Sequence, residues 1–156
     1  MKIMKTIWEN KYFRLFAVLL LSIGLLCGCG ADDAAIIDAE RTTLAENGSY
    51  TSPDDVAEYL HFYGHLPDNF ITKNEARDLG WDSQAGNLDE VAPGMSIGGD
   101  TFGNREGLLP KADGRKYYEC DVNYEGGYRG EERIVYSSDG LIFYTDDHYE
   151  SFEQLY

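Results

Sequence analysis

The spacing of apolar residues changes once along this chain, and that change restricts the fold more than any other feature. Before Pro93-Gly94 apolar side chains recur at helical intervals, as at Val56, Tyr59, Leu60 and Tyr63. After it they alternate at every second position, which is typical of half-buried strands. Helices first and strands afterwards, with short connections, favour an α+β fold. We therefore expect two to three N-terminal helices packed on a five-stranded antiparallel sheet.

The helical part contains start and stop signals. Ser52-Pro53 begins the first helix, since a hydroxyl N-cap and a proline in the first turn are both favoured there, and Gly64 ends it. Thr72-Lys73-Asn74-Glu75 has the pattern of a capping box and begins a second helix that Gly80 ends. A third, short helix is expected over residues 87–91.

Turn residues divide the second part into strands. Asp-Gly, Gly-Gly and Gly-Asn pairs separate the alternating segments, and such pairs mark tight chain reversals. The expected strands cover residues 96–101, 115–122, 133–137, 141–145 and 151–155.

The first 28 residues resemble a secretory signal. A basic segment, residues 1–14, precedes an apolar run over residues 15–26 that is too short for a spanning helix. Leu26-Cys27-Gly28-Cys29 then resembles a bacterial lipobox, so we expect cleavage before Cys29 and a lipid on its thiol. An ordinary cleaved signal and an uncleaved anchor are the alternatives.

Two segments follow the signal. Residues 29–51 are polar, Ala-rich and acidic, and we expect a flexible tether. Residues 52–156 are long enough for one domain with a modest core. If Cys29 is acylated, Cys120 has no cysteine partner, which excludes a disulfide framework. We therefore expect Cys120 to be a small buried apolar side chain.

The expected mature chain is strongly acidic. Removing residues 1–28 takes away four basic residues and one acidic residue, so nine Lys and Arg remain against 27 Asp and Glu, a formal charge of −18. This sign opposes bulk attraction to a nucleic acid. Any cations that bind RNA must therefore be concentrated locally.

Four residues in one stretch have catalytic potential: Glu119, Arg129, Arg133 and His148. A carboxylate and an imidazole can act as general base and general acid, and two guanidinium groups can hold a phosphate. This set suits phosphodiester cleavage without a metal. Each residue also has a structural interpretation: a solvated carboxylate, an exposed histidine, and arginines paired with acids such as Asp121.

Longer blocks at constant spacing carry a family resemblance. They include Leu66-Pro-Asp-Asn, Val91-Ala-Pro-Gly, Ser96-Ile-Gly-Gly-Asp, Asn104-Arg-Glu-Gly and Thr145-Asp-Asp-His-Tyr. Over residues 56–152, without a forced gap, the chain resembles the barnase-type bacterial extracellular guanyl-specific ribonucleases. The number of matching blocks makes the resemblance far more specific than a short motif.

The resemblance implies a role for each charged residue. Glu119 would be the general base that removes the proton of the ribose 2′-hydroxyl, and His148 the general acid that protonates the leaving 5′-oxygen. Lys73, Arg129 and Arg133 would stabilise charge on the phosphate. The first step would give a 2′,3′-cyclic phosphate, which water hydrolyses in the second step, and no metal or other cofactor would take part.

The resemblance also implies a base-binding loop from Phe102 to Glu106, which includes Asn104 and Arg105. Main-chain groups of this loop would contact guanine, and the carboxylate of Glu106 would accept its N1 and N2 hydrogens. Tyr149 would stack on a base.

The partners implied are an RNA substrate and a barstar-like inhibitor protein that presents acids to the cations. We expect a monomer outside the cell, held to the outer face of the membrane through lipid at Cys29. Family members are basic, and Leu108, Tyr117 and Gly140 stand where a relative has lysine, tryptophan and tryptophan, so the affinity for long RNA and the salt optimum stay open. The alternative function is a catalytically silent surface lipoprotein that uses the same fold as a binding module.

Overall fold

A computed structural model describes residues 43–156. Its elements are α1 (Pro53–Tyr63), β1 (Phe70–Ile71), α2 (Lys73–Asp78), α3 (Leu88–Val91), β2 (Ser96–Phe102), β3 (Tyr117–Asp121), β4 (Arg133–Ser137), β5 (Ile142–Thr145) and β6 (Glu153–Gln154). The strands lie in numerical order across one sheet. Neighbouring strands are antiparallel except β1 and β2, which are parallel.

The expected α+β fold is confirmed, with one correction to the sheet. Six strands form it among the described residues, not five, and one pair is parallel. The additional strand is β1, in which Phe70 pairs with Ser96 and Ile71 with Ile97. Two residues are too short to show an alternating pattern, so only the distant partner strand defines this element.

The expected signal segment over residues 1–28, the lipidation site at Cys29 and the first part of the tether lie outside the described residues. Residues 43–51, at the end of the expected tether, contact the folded unit. The Tyr50 N–H donates to Asn69 Oδ1 at 3.2 Å, and the Tyr50 ring packs beside the core under α1. In the part of the chain that the structure describes, no helix is both long and apolar enough to cross a membrane.

The helix signals act locally as predicted. Ser52 Oγ accepts from the Asp55 N–H at 3.2 Å, and Gly64 ends α1 with a φ of 74°. Both halves of the second capping box form, because Thr72 Oγ1 accepts from the Glu75 N–H while the Glu75 carboxylate accepts from the Thr72 N–H. The first residue of α2 is therefore fixed in position, and that residue is Lys73.

The two faces of the sheet bury different clusters. One face packs on α1 through Val56, Ala57, Leu60, Cys120, Val122, Ile134 and Ile142. The other face packs through Leu109, Tyr117, Val135 and Phe143. Because successive side chains of a strand point to opposite faces, Glu119 and Asp121 share the second face with Tyr117. Cys120 is buried on the first face, and burial raises the pKa of its thiol.

Candidate active site

Strand register places the charged residues in two adjacent rows on the face away from α1. Asp121 of β3 pairs with Arg133 of β4, which pairs with Thr145 of β5. In the next row on the same face Glu119 pairs with Val135. Residues two apart in a strand are separated by about 7 Å, so the two carboxylates lie side by side over the sheet.

Glu119 is held by a donor on each carboxylate oxygen. Lys73 Nζ lies 2.5 Å from Oε1, and the Tyr149 hydroxyl donates to Oε2 at 2.5 Å. Glu119 is 8% exposed, and this burial raises its pKa. The hydrogen bonds from Lys73 and Tyr149 and the charges of Lys73 and Arg129 lower the pKa more, so the net shift is downward. Glu119 is therefore ionised at neutral pH, which is the state that a general base requires.

Asp121 holds two guanidinium groups. Arg129 donates Nε–H and Nη2–H to the two oxygens of Asp121, each at 2.6 Å. Arg133 Nε lies 2.9 Å from Asp121 Oδ1, within ion-pair distance but without hydrogen-bond alignment. Burial lowers the pKa of Arg129, but the carboxylate of Asp121 raises it more. One buried carboxylate therefore orients two cations, and the Arg129 side chain is the more exposed of the two, at 22% against 3%.

His148 lies where two clefts meet. A cleft of 380 Å³ is lined by Arg129 and Arg133 together with His148. A larger cleft of 850 Å³ is lined by the loop after β2 and, on its other side, by His148 and Tyr149. We call these the phosphate cleft and the base cleft, after the groups that their lining residues are predicted to bind. An exposed imidazole at their junction can reach a group that lies between them.

The backbone at His148 and Tyr149 is unusual. Their φ angles are 54° and 77°, in the left-handed region that residues other than glycine rarely adopt. Each such residue costs on the order of 1–3 kcal/mol and persists only where surrounding contacts fix it. Here the Tyr149 N–H donates to Thr145 Oγ1 at 3.1 Å, and the Tyr149 hydroxyl is bound to Glu119. The same two contacts therefore fix the conformation that presents the imidazole.

Asn104 closes the loop that forms one wall of the base cleft. Its φ is 41°, its Nδ2–H donates to the Leu109 carbonyl at 2.9 Å, and its Oδ1 accepts from the Leu109 N–H at 3.0 Å. Its side chain thus supports the loop from within. Glu106 and Arg105 are exposed, and the Phe102 ring packs on Tyr149 with ring centroids 5.2 Å apart.

The structure brings the expected residues together in two groups. Lys73 forms an ion pair with Glu119, while Arg129 and Arg133 both pair with Asp121 and line one cleft together with His148. The five residues expected to bind the base all line the base cleft: Phe102, Asn104, Arg105, Glu106 and Tyr149. Tyr149 also reaches Glu119, a contact that the sequence did not suggest.

Asp89 fastens the turn that precedes Arg129, and this role was not predicted from the sequence. Asp89 Oδ1 accepts from the Gly127 N–H at 3.0 Å, and the Tyr124 hydroxyl donates to the Gly127 carbonyl at 3.1 Å. The hydrogen bond from Gly127 lowers the pKa of Asp89. Gly126 and Gly127 have φ angles of 108° and 72°, which suit glycine. The adjacent Gly126-Gly127 predicts a turn at this point, but nothing in the sequence indicates that Asp89, 38 residues before Gly127, would hold it.

Comparisons with known proteins agree on one family. A family model described as ribonuclease matches residues 53–156. The chain is 58% identical over 102 residues to a ribonuclease of Heyndrickxia coagulans. These 102 residues are 65% of this chain and 94% of that protein. A ribonuclease of Bacillus intermedius matches equally over 102 residues, which cover 63% of its length. Guanyl-specific ribonuclease St of Saccharopolyspora erythraea is 47% identical over 55 residues, covering 35% of this chain and 54% of that protein.

Proposed function

This chain belongs to the ribonuclease family, and from that premise we propose that it is a metal-independent, guanyl-preferring endoribonuclease. The observation that carries the proposal is the environment of Glu119. An ionised carboxylate, held by Lys73 and Tyr149, lies on the same face as the Asp121–Arg129–Arg133 cluster, and Tyr149 is the chain neighbour of the exposed His148. General base, general acid and charge stabilisation are then all available around one phosphate.

In the proposed first step Glu119 takes the proton of the ribose 2′-hydroxyl. The 2′-oxygen forms a bond to phosphorus, and the bond from phosphorus to the 5′-oxygen breaks. His148, in its protonated form, gives a proton to that leaving oxygen. The products are a 2′,3′-cyclic phosphate on one fragment and a 5′-hydroxyl on the other. In the second step the neutral imidazole of His148 takes a proton from water, whose oxygen forms a bond to phosphorus. The bond from phosphorus to the 2′-oxygen breaks, Glu119 returns its proton to that oxygen, and a 3′-phosphate remains.

Lys73, Arg129 and Arg133 act on the charge that develops on the phosphate oxygens. In the free protein Lys73 is bound to ionised Glu119. Once Glu119 has accepted a proton its carboxyl group is neutral, so the ammonium charge of Lys73 is no longer compensated and can turn to the phosphate. Arg129 and Arg133 stay fixed by Asp121 and need no rearrangement, which is the condition for strong electrostatic stabilisation.

Base preference is assigned to the base cleft. Guanine presents two adjacent donors, N1–H and N2–H, and a carboxylate can accept both, whereas the corresponding edge of adenine cannot donate in this way. Glu106 is exposed on the wall of this cleft and is the carboxylate proposed for the contact. Phe102, Asn104 and Arg105 shape the same wall.

Location and partners extend the proposal. We expect an extracellular monomer held by lipid on Cys29, and a barstar-like inhibitor protein in the producing cell whose acids would meet the same cations. The intact mass of the exported protein tests the lipid directly, because acylation adds the mass of the attached chains to Cys29.

Cleavage of a guanosine-containing dinucleotide in the presence of a chelator tests the mechanism. Glu119→Gln and His148→Ala should each reduce kcat by about 10²- to 10⁴-fold, the usual contribution of general acid–base catalysis. Glu106→Ala is the matched control, because it should raise KM for guanosine and weaken the preference over adenosine without removing the chemistry. Wild-type rates in both catalytic variants would refute the mechanism. A wild-type protein that cleaves nothing would favour the silent binding module.

A further inference from the structure

Basic residues are scarce in the folded part of this chain, and half of them lie around one groove. Residues 43–156 contain eight Lys and Arg: Lys73, Arg77, Arg105, Lys111, Arg115, Lys116, Arg129 and Arg133. A groove of 560 Å³ on the far side of the base-binding loop is lined by Arg105, Lys111, Arg115 and Lys116. None of the residues that line this basic groove is acidic.

Three of these four cations have no carboxylate partner among the described residues. Arg115 is neutralised by Asp139, to which it donates from Nε at 2.9 Å and from Nη2 at 2.7 Å. Within residues 43–156 Arg105, Lys111 and Lys116 form no ion pair, and all three are exposed. In a chain with so large an acidic excess, three uncompensated cations around a groove without acids create a local positive potential.

The three clefts follow one another in a fixed order. The phosphate cleft and the base cleft share His148. The base cleft and the basic groove share residues 101–105, of which Arg105 faces both. The phosphate cleft and the basic groove share no lining residue. The base cleft therefore lies between the other two.

We propose that the basic groove binds backbone phosphates of the nucleotides on the 5′ side of the cleaved guanosine. The inference rests on the proposed function, in which guanine occupies the base cleft and its 3′-phosphate lies at His148. The strand on the 5′ side must then leave the base cleft in the other direction, past Arg105 and toward Lys111 and Lys116. Arg105, Lys111 and Lys116 present positive charge to the strand, so the groove recognises backbone phosphates and not the sequence.

The test compares the Lys111→Ala/Lys116→Ala double variant of the full chain with wild type on three substrates. They are a guanosine dinucleotide, the same unit with several pyrimidines on its 5′ side, and the same unit with several pyrimidines on its 3′ side. For the 5′-extended substrate at low salt kcat/KM should fall about 3- to 10-fold, the range expected for two exposed charge contacts. In a plot of log kcat/KM against log salt concentration, the negative slope should become smaller in magnitude by about 1.4, or about 0.7 per lost contact. Dinucleotide and 3′-extended rates should stay unchanged.

Arg77→Ala supplies the control for net charge. Arg77 is exposed in α2 and lines neither the clefts nor the basic groove. Arg77→Ala and Lys111→Ala each remove one positive charge. On the 5′-extended substrate Lys111→Ala should lower kcat/KM more than Arg77→Ala does. An equal effect would overturn the assignment, because it would show that overall charge alone matters. An unchanged rate and salt slope in the double variant would also overturn it, as would an equal loss on the dinucleotide or on the 3′-extended substrate.

Binding measurements separate failure of this inference from failure of the proposed function. If wild-type protein does not cleave the dinucleotide, the proposed function fails on that result alone. The groove is then tested by fluorescence anisotropy with a labelled pyrimidine oligonucleotide carrying a single 3′-terminal guanosine. Weaker binding by Lys111→Ala than by Arg77→Ala supports the groove, because each removes one charge, and equal binding refutes it.

Discussion

Replacing Asp121 by asparagine removes the charge that holds both Arg129 and Arg133. Asp121 is 3% exposed and Arg133 is 2% exposed, so their charges have little access to water. Arg129 would keep at most one of its two hydrogen bonds, since the amide presents a single acceptor oxygen in place of two. Asp121→Asn should therefore reduce stability and also loosen the two cations that are proposed to act on the phosphate.

The expected size of the stability loss follows from this burial. Breaking a buried ion pair by removing one partner costs about 3–5 kcal/mol, because the other charge stays buried without compensation. Two arginines share the lost charge, but Arg129 is partly exposed and can recover hydration. We therefore expect a loss of about 3–4 kcal/mol in the free energy of unfolding, most of it from Arg133.

Urea unfolding of wild type, Asp121→Asn, Arg133→Met and the double variant measures this loss. The double variant should recover part of the stability, since it removes the uncompensated cation, and the cycle should give a coupling of at least about 1 kcal/mol. Asp139→Asn is the control, because Asp139 also pairs with an arginine, Arg115, but is exposed. A loss below about 1 kcal/mol for Asp121→Asn, or equal losses at both aspartates, would refute the reasoning.

Three further predictions concern the supports of the site. Asp89→Ala should lower kcat about tenfold, because it frees the turn before Arg129. Asp89→Asn should keep a rate near that of wild type, because its amide oxygen can still accept from the Gly127 N–H. Similar rates for the two variants would contradict the role of Asp89. Asn104→Ala should lower the free energy of unfolding in urea by about 1–3 kcal/mol, because it removes two loop hydrogen bonds and places alanine at a φ of 41°. Asn104→Gly removes the same hydrogen bonds without the backbone strain, so its loss should be smaller. Because the pKa of Glu119 is lowered, ionised Glu119 stabilises the folded protein above the ordinary glutamate pKa, and this stabilisation is lost as pH falls through the lowered value. Lys73→Ala should raise the pKa of Glu119, so the loss of stability and of rate on acidification should occur at higher pH.

Local signals explain why the helices were predictable. Ser52, Gly64 and the Thr72 capping box each act within four residues, so the sequence specifies them without reference to the rest of the fold. The strands β2 to β5 alternate between two buried faces and were predictable for the same reason. β1 was not, because a two-residue strand exists only through its pairing with Ser96 and Ile97.

Contacts between distant residues explain what the sequence did not reveal at the site. The sequence suggests Asp121 as a partner of the arginines, but its place between them depends on the register of β3 against β4. The contact between Tyr149 and Glu119 joins residues 30 apart, and that between Asp89 and Gly127 residues 38 apart. The candidate roles came from the family resemblance, since neither alternation nor composition assigns a base or an acid.

The identity of the first product tests the central claim most directly. Phosphorus NMR can follow wild-type protein acting on a guanosine dinucleotide in chelator, beside the 2′-deoxyguanosine analogue. If the 2′-oxygen attacks with Glu119 as its base, a 2′,3′-cyclic phosphate accumulates before the 3′-phosphate, and the deoxy analogue stays intact. Formation of the 3′-phosphate without the cyclic species, or cleavage of the deoxy analogue, would contradict the proposed mechanism.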